Sequence, residues 1–582
     1  MTSPDPDGPS PARSGVPAGA GRGRRGGARG AEQGRDRPRR AGARASGVTV
    51  TTRAESTRDV AHRAVAGSGR RGPYRSLLFL DGADGRAVDA AAAPACFVDL
   101  NLDQVVAAVI GEADDYRLRP LFHIQVDTVE EIRYRHAVFA DLDGTPLARR
   151  VAVFAERMRG SRESLQQAAK LRNPHQKQRW LLEAAAGYAA AVADLSADLA
   201  RAPLDSAGLA GFRDYVSGYA DSTGFRTLQA DAGRVADGLA AARYCLGLSA
   251  NLIQVRRYDS EADYGAEVEQ SFLRFRQHDA ADHQHRFTDW PEVNHVEAEI
   301  LSRVARLFPA EFADLESFRS AHRDYLDPVV GAFDREVQFY LHYLALMARL
   351  RAAGLPLCYP EVSADSKRTE AVDTYDLALA VKTVAERVPL VRNDVSLSGR
   401  ERIVVVTGPN QGGKTTFARL FGQLHVLARL GCPVPGQHAR LFVCDAVYTH
   451  FERGENLTDL RGKLEDDLVR VRDILAEATP RSVVVLNEIF TSTTFRDAVL
   501  LGRAVLAELS TLDALAVCVT FVDELACFDD KTVSLVAAVA PEDPAVRTFK
   551  LERRPADGRA YATVLAAKHG LTYRQVRDRL RR

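Results

Sequence analysis

The stretch that most constrains this chain lies between residues 402 and 430. Arg402-Ile403-Val404-Val405-Val406-Thr407 is a β-branched apolar run of strand length, and Thr415 to Leu430 reads as a helix. Between them stands Gly408-Pro409-Asn410-Gln411-Gly412-Gly413-Lys414-Thr415, followed by Thr416. The pattern GxxxxGK[ST] between a strand and a helix is a phosphate loop. Its chemistry follows from the backbone. The N–H groups of Gly412 to Thr415 face outward at a helix N-terminus, where the dipole also favours anions. Gly412 and Gly413 allow close approach of a ligand. Lys414 neutralises β- and γ-phosphates, and the Thr415 hydroxyl ligates Mg2+. ATP and Mg2+ are therefore the expected ligands, inside an α/β domain with a mostly parallel sheet.

A second apolar run, Ser482 to Leu486, ends in Asn487-Glu488. An acidic residue at such a strand end faces the nucleotide, where it orders Mg2+ or activates water. Glu488 is the candidate catalytic base beside Lys414. Asn487 stands where an aspartate usually holds the metal; its carbonyl accepts hydrogen bonds but carries no charge. A third strand, Ala516 to Thr520, ends in Phe521.

The rest of the 582-residue chain divides by composition. Residues 1–72 hold no Phe, Leu, Ile or Trp, so they bury too little apolar surface to offset ordering entropy and read as a disordered Arg/Gly-rich tail. Residues 73–125 read as a small connector element. Residues 126–354 are mainly helical. Leu326, Val330, Phe333, Val337, Tyr340, Leu344 and Met347 recur at heptad spacing, with Pro328 in the first turn. Leu228, Ala232, Val235 and Leu239 form a second stripe. Between the stripes, Tyr244–Leu248 and Leu252–Val255 flank a turn and predict a hairpin. Long helices enclosing an insertion near 256–295 suggest a lever with something at its tip. Arg274, Arg276 and Arg286 interleave there with Phe272, Phe287 and Trp290, which suits phosphate contact with stacking or a solvated polar loop. His278, His283 and His285 match no common metal-ligand spacing. Residues 355–400 read as a connector leading into the α/β domain.

Net charge is +1, so overall charge names no partner. The seven cysteines form no CxxC, which argues against a disulfide framework and fits a reducing compartment. No apolar run reaches the roughly 18 residues of a membrane span, and the N-terminus lacks the apolar core of a signal peptide.

Thr407 to Phe417, TGPNQGGKTTF, resembles the loop TGPN-x-GGK-[ST]-T-[FY] of the MutS family of DNA mismatch-repair ATPases. Asn487 to Phe495 looks like that family's DEIGRGTST-[FY]. The resemblance covers roughly 360–582 and, more weakly, 126–350. It implies an ABC-type ATPase domain on a helical lever and clamp, with two ATPase domains dimerising and ATP state controlling a clamp around DNA. It also implies a cytoplasmic, nucleoid-associated protein. Three positions depart from the pattern. Its aspartate is Asn487 here, the histidine after the third strand is Phe521, and the serine of its SGRSTF loop is Gly462, flanked by Arg461 and Lys463. Lys463 is a candidate replacement for that serine as the group reaching a partner's nucleotide. The family's mismatch-reading Phe-x-Glu has no counterpart in residues 1–72, and Phe154-Ala155-Glu156 falls in a helical pattern. Set against the resemblance, no counterpart of the family's C-terminal dimerisation extension is expected after the last ATPase helix. The expected function is a DNA-binding ATPase of repair or recombination. Two alternatives stay open: a nucleotide-binding scaffold with little turnover, and an ATPase acting on RNA or ribosomes.

Overall fold

The computed structural model describes residues 74–82, 85–111, 115–249, 252–260, 267, 270–271, 293–452, 462–542, 546–556, 566–567 and 569–580. The arginine-rich tail, Arg274, Arg276, Arg286, the three histidines near them, and Arg461 lie outside the described residues.

The long apolar runs of the C-terminal part form one six-stranded sheet. Its strands, numbered in chain order, are β1 Ile403–Thr407, β2 Val447–His450, β3 Val483–Asn487, β4 Leu515–Val519, β5 Thr532–Val539 and β6 Arg547–Arg553. Their spatial order is β2-β3-β4-β1-β5-β6, parallel throughout except that β6 runs antiparallel to β5. The central strands β1, β3 and β4 are buried at every residue because both faces are covered. Val404, Val406, Val483, Val485, Val517 and Val519 belong to the core shared with the helix Lys414–Arg429. Ile403, Val405, Val484, Leu486, Ala516 and Cys518 pack on the other face with Val505, Leu506 and Leu509 of the helix Phe495–Leu512.

Residues 355–400 are more than a connector. Glu361–Ser363, Thr369–Thr374 and Asn393–Leu397 join His438–Phe442 in a second, four-stranded sheet, and Leu377–Glu386 is a helix capped by Asp376. These strands are short, and their register comes from partners distant in sequence, which a local reading misses.

The heptad stripe forms one helix, Pro328–Ala352, with Pro328 in its first turn and Asp327 accepting from Val329 and Val330 N–H groups. Val330, Phe333, Val337, Tyr340 and Met347 are fully buried. Leu344 is half-buried, and Leu326 precedes the helix and is exposed. This helix touches both halves of the molecule. Phe333 stacks on Phe212 at 3.6 Å between ring centroids, the Tyr340 hydroxyl donates to Leu77 O (2.8 Å), and the Tyr343 hydroxyl donates to Pro433 O (2.7 Å). Arg135 is fully buried and ties the N-terminal segment to the end of the phosphate-loop helix, donating to Leu78 O (2.9 Å) and Leu430 O (2.8 Å). Residues 77–126, the helices and one face of the sheet thus share a single core.

Two further long helices, Pro146–Lys170 and Pro174–Arg201, pair antiparallel, with Arg157 bound to Asp194 and the Ser161 hydroxyl donating to Ala184 O. Phe154 is buried in the first of them against Phe333, so Phe154-Ala155-Glu156 presents no exposed wedge. The stripe Leu228, Ala232, Val235 lies buried on Thr223–Ala241. The hairpin follows as Tyr244–Ser249 and Leu252–Arg257, antiparallel, in the register Leu248↔Ile253. No described helix is long and apolar enough to cross a membrane.

Candidate functional site

The loop after β1 closes over the C-terminal end of the sheet. Gly413 takes a φ of +92° and caps the helix beginning at Lys414, a backbone state that only glycine adopts without strain. Gly412 faces a different constraint. A Cβ there would meet Ala537 Cβ and Pro409 O, each at 2.9 Å.

Lys414 is 4% exposed. Its Nζ donates to Gly408 O (3.0 Å), Pro409 O (3.3 Å) and Asn410 Oδ1 (3.3 Å), and lies 3.8 Å from Glu488 Oε1. Burial pulls its pKa below the ordinary lysine value; Glu488 and Asp523 oppose this, and Arg547 adds to it. Thr415 and Thr416 follow on the first turn, half-buried, and Gln411 has a positive φ in the exposed bend of the loop.

Asn487 and Glu488 leave β3 beside this loop. By the alternation along β3, Asn487 shares the face of Val483 and Val485, which is that of the phosphate-loop helix. It is 6% exposed, and its Oδ1 is buried without a hydrogen-bond partner. The Thr407 hydroxyl, at the end of β1, is likewise buried and unpartnered. Buried polar atoms of this kind call for an explanation, and a hydrated cation with a triphosphate supplies one. Glu488 itself adopts φ +55° while its N–H donates to Val519 O (2.9 Å), and Phe490 adopts φ +59°. Non-glycine residues in this region store strain, which concentrates at functional sites. The donors present fit ATP with Mg2+: loop N–H groups, an ammonium, a hydroxyl, a neutral carbonyl oxygen and one carboxylate.

These observations converge with the comparisons. Residues 404–563 match the family model for MutS domain V. Over these residues the chain carries a MutS-type domain V. Domain V is that family's ABC-like ATPase domain. The chain is 30% identical over 196 residues to the DNA mismatch repair protein MutS of Shouchella clausii, a match covering 33% of this chain and 22% of the relative. It is 38% identical over 117 residues to the DNA mismatch repair protein msh3 of Aspergillus terreus, covering 20% of this chain and 10% of the relative. The same protein of Emericella nidulans gives 38% over 117 residues, 20% and 11% of the two chains. The matches thus span between about a tenth and a fifth of these relatives' lengths.

Several positions read differently in three dimensions than in sequence. Lys463 begins the helix Lys463–Glu477, and its ammonium pairs with Glu452. Phe521 is 46% exposed, and its ring lies 6.5 Å from that of Phe495, itself 54% exposed. Two residues near the site carried no motif. Arg547 of β6 donates from Nε to Asn410 O (3.3 Å). Only the antiparallel return of β6 brings it there. Asp523 begins the turn after β4, an acidic residue past a strand end much like Glu488; that parallel was available in the sequence.

Proposed function

We propose that the chain is a MutS-type ATP-binding, DNA-binding ATPase acting in mismatch repair or a related repair or recombination process. ATP state governs closure of a clamp on mismatched, distorted or branched DNA. The observation that carries this reading is the setting of Lys414, buried among the carbonyls of its own loop and 3.8 Å from Glu488.

The roles follow from position. N–H groups of Gly412 to Thr415 and the Lys414 ammonium bind the phosphates and stabilise charge that builds on them during transfer. Glu488 orients the attacking water. Thr415 and Asn487 would hold Mg2+, which would offset the negative charge of the phosphates. Two such domains pair as a homodimer, with Arg461 and Lys463 at the partner's nucleotide. Since Lys463 pairs with Glu452 in the isolated chain, reaching across requires that pair to open. The helix Pro328–Ala352, bonded to both Leu77 and Pro433, suits transmission between the ATPase domain and the lever helices. Arg274, Arg276 and Arg286 are the proposed DNA contacts.

A ligand panel tests this: homoduplex, mismatched, branched and RNA ligands, each with and without ATP, across a salt series. The expected result is a preference for mismatched or branched DNA that changes with ATP. Steep salt dependence with no structural preference would reduce the interaction to phosphate contact alone, and preference for RNA would replace DNA as the ligand. Asn487 favours a second reading, a nucleotide-binding scaffold with slow turnover.

A further inference from the structure

The pattern this site resembles ends its second strand in two adjacent carboxyl residues, and here there is one, Glu488. The fold offers a replacement. Val519, the last residue of β4, pairs with Asn487 on one side and Val406 on the other. Glu488 N donates to Val519 O (2.9 Å), and Thr520 N donates to Val406 O (3.1 Å). The segment leaving β4 is therefore held between the two strands that carry the nucleotide site. It turns at once, with Thr520 Oγ1 accepting from Val522 N (3.0 Å), into a short 3-10 helix, Asp523–Cys527. Val522, Leu525 and Ala526 are buried beneath that turn and fix its backbone. Asp523 begins it, half-buried, within electrostatic reach of Lys414. Its charge acts on Lys414, the lysine of the site in which Asn487 stands in place of a carboxylate.

We infer that Asp523 supplies the metal-side negative charge that Asn487 lacks, its carboxylate and the Asn487 carbonyl sharing the task of holding Mg2+-bound water at the phosphates. The inference rests on the ATP reading above. A carboxylate that only balanced Lys414 would favour empty sites over filled ones. One that serves Mg2+ makes nucleotide binding depend on the cation.

The test compares the full-length protein with Asp523→Asn, Asn487→Asp and the double variant. ATP affinity is measured with a fluorescent ATP analogue in Mg2+ and in EDTA, and Mn2+ affinity by its electron paramagnetic resonance signal in the presence of ATP. Partners of metal-bound groups are typically worth about 10- to 100-fold in metal affinity. Asp523→Asn should lower the Mg2+-dependent gain in ATP affinity and the Mn2+ affinity by about that factor. Affinity in EDTA should be unchanged or higher. Adding Asn487→Asp should restore the gain, which a misfolded variant would not allow. An undiminished Mg2+ dependence in Asp523→Asn, or equal losses in Mg2+ and EDTA, would overturn the inference while leaving the ATP reading intact. Wild-type protein that binds no ATP in Mg2+ would overturn both.

Discussion

Substituting Gly412 by alanine puts the loop geometry to a direct test. The added methyl meets Ala537 Cβ and the Pro409 main-chain oxygen at 2.9 Å each. Ordinary contact begins near 3.4 Å, so each neighbour must retreat by about half an ångström. Neither neighbour is the free end of a flexible side chain, so the loop itself must shift. Overpacking of this sort costs about 1–3 kcal/mol. Gly412 N donates to Pro409 O (3.2 Å), so the shift disturbs that bond and, on the proposed ATP reading, moves the Gly413 N–H group off the phosphates. A hydrogen bond to a charged group contributes about 1.5–3 kcal/mol, so losing one weakens ATP about tenfold to a hundredfold. Gly233→Ala is the control: this glycine lies in the helix Thr223–Ala241 with open space around it, and alanine should be neutral or stabilise by up to about 1 kcal/mol. Titration with a fluorescent ATP analogue and thermal unfolding report both effects. Gly412→Ala protein with wild-type affinity and melting temperature would refute the reasoning.

Phe333→Ala removes a fully buried ring stacked on Phe212 and should cost about 3–5 kcal/mol in denaturant unfolding; a loss below about 1 kcal/mol would mean the helices do not pack as described. His425 is fully buried, with Nδ1 at 2.9 Å from Phe421 O and Nε2 unpartnered, and burial pushes it down to about 4. Its folded pKa is depressed, so its contribution is intact above the unfolded value near 6.5 and is lost as pH falls toward 4. His425→Gln should remove close to one proton from the pH dependence of unfolding in that window, about 1.4 kcal/mol per pH unit, and an unchanged slope would contradict it. Arg547→Gln breaks the contact with Asn410 O and should weaken ATP severalfold, by about 1 kcal/mol, without altering thermal stability; equal binding would remove Arg547 from the site.

What the sequence discloses here is mostly local. The strand, loop and helix around Gly408–Thr415 are contiguous, so composition and spacing alone fix them, and the observed strand Ile403–Thr407 and helix Lys414–Arg429 differ from that reading by about a residue. The heptad stripe of Pro328–Ala352 and the hairpin at 244–257 are local in the same way. Non-local pairing is harder to read. Thr369–Thr374 is six residues long and pairs with Asn393–Leu397 on one side but with the distant His438–Phe442 on the other, so residues 355–400 hold only part of their sheet. Arg547 stands 137 residues from Asn410, and only β6 folding back along β5 joins them. Arg135 looks like a surface residue in sequence, yet main-chain carbonyls at Leu78 and Leu430 and the rings of Phe79 and Phe339 enclose it.

The central claim is that residues 408–415 and Glu488 form one ATP-hydrolysing site despite Asn487. Steady-state ATP turnover by the full-length protein in Mg2+, beside Lys414→Ala and Glu488→Gln, measures it most directly. Charge-stabilising and water-orienting groups each contribute about a hundredfold or more to such reactions. The account predicts wild-type turnover above background and a loss of about that size in each variant. Equal rates in all three proteins would contradict it and leave a nucleotide-binding scaffold in its place.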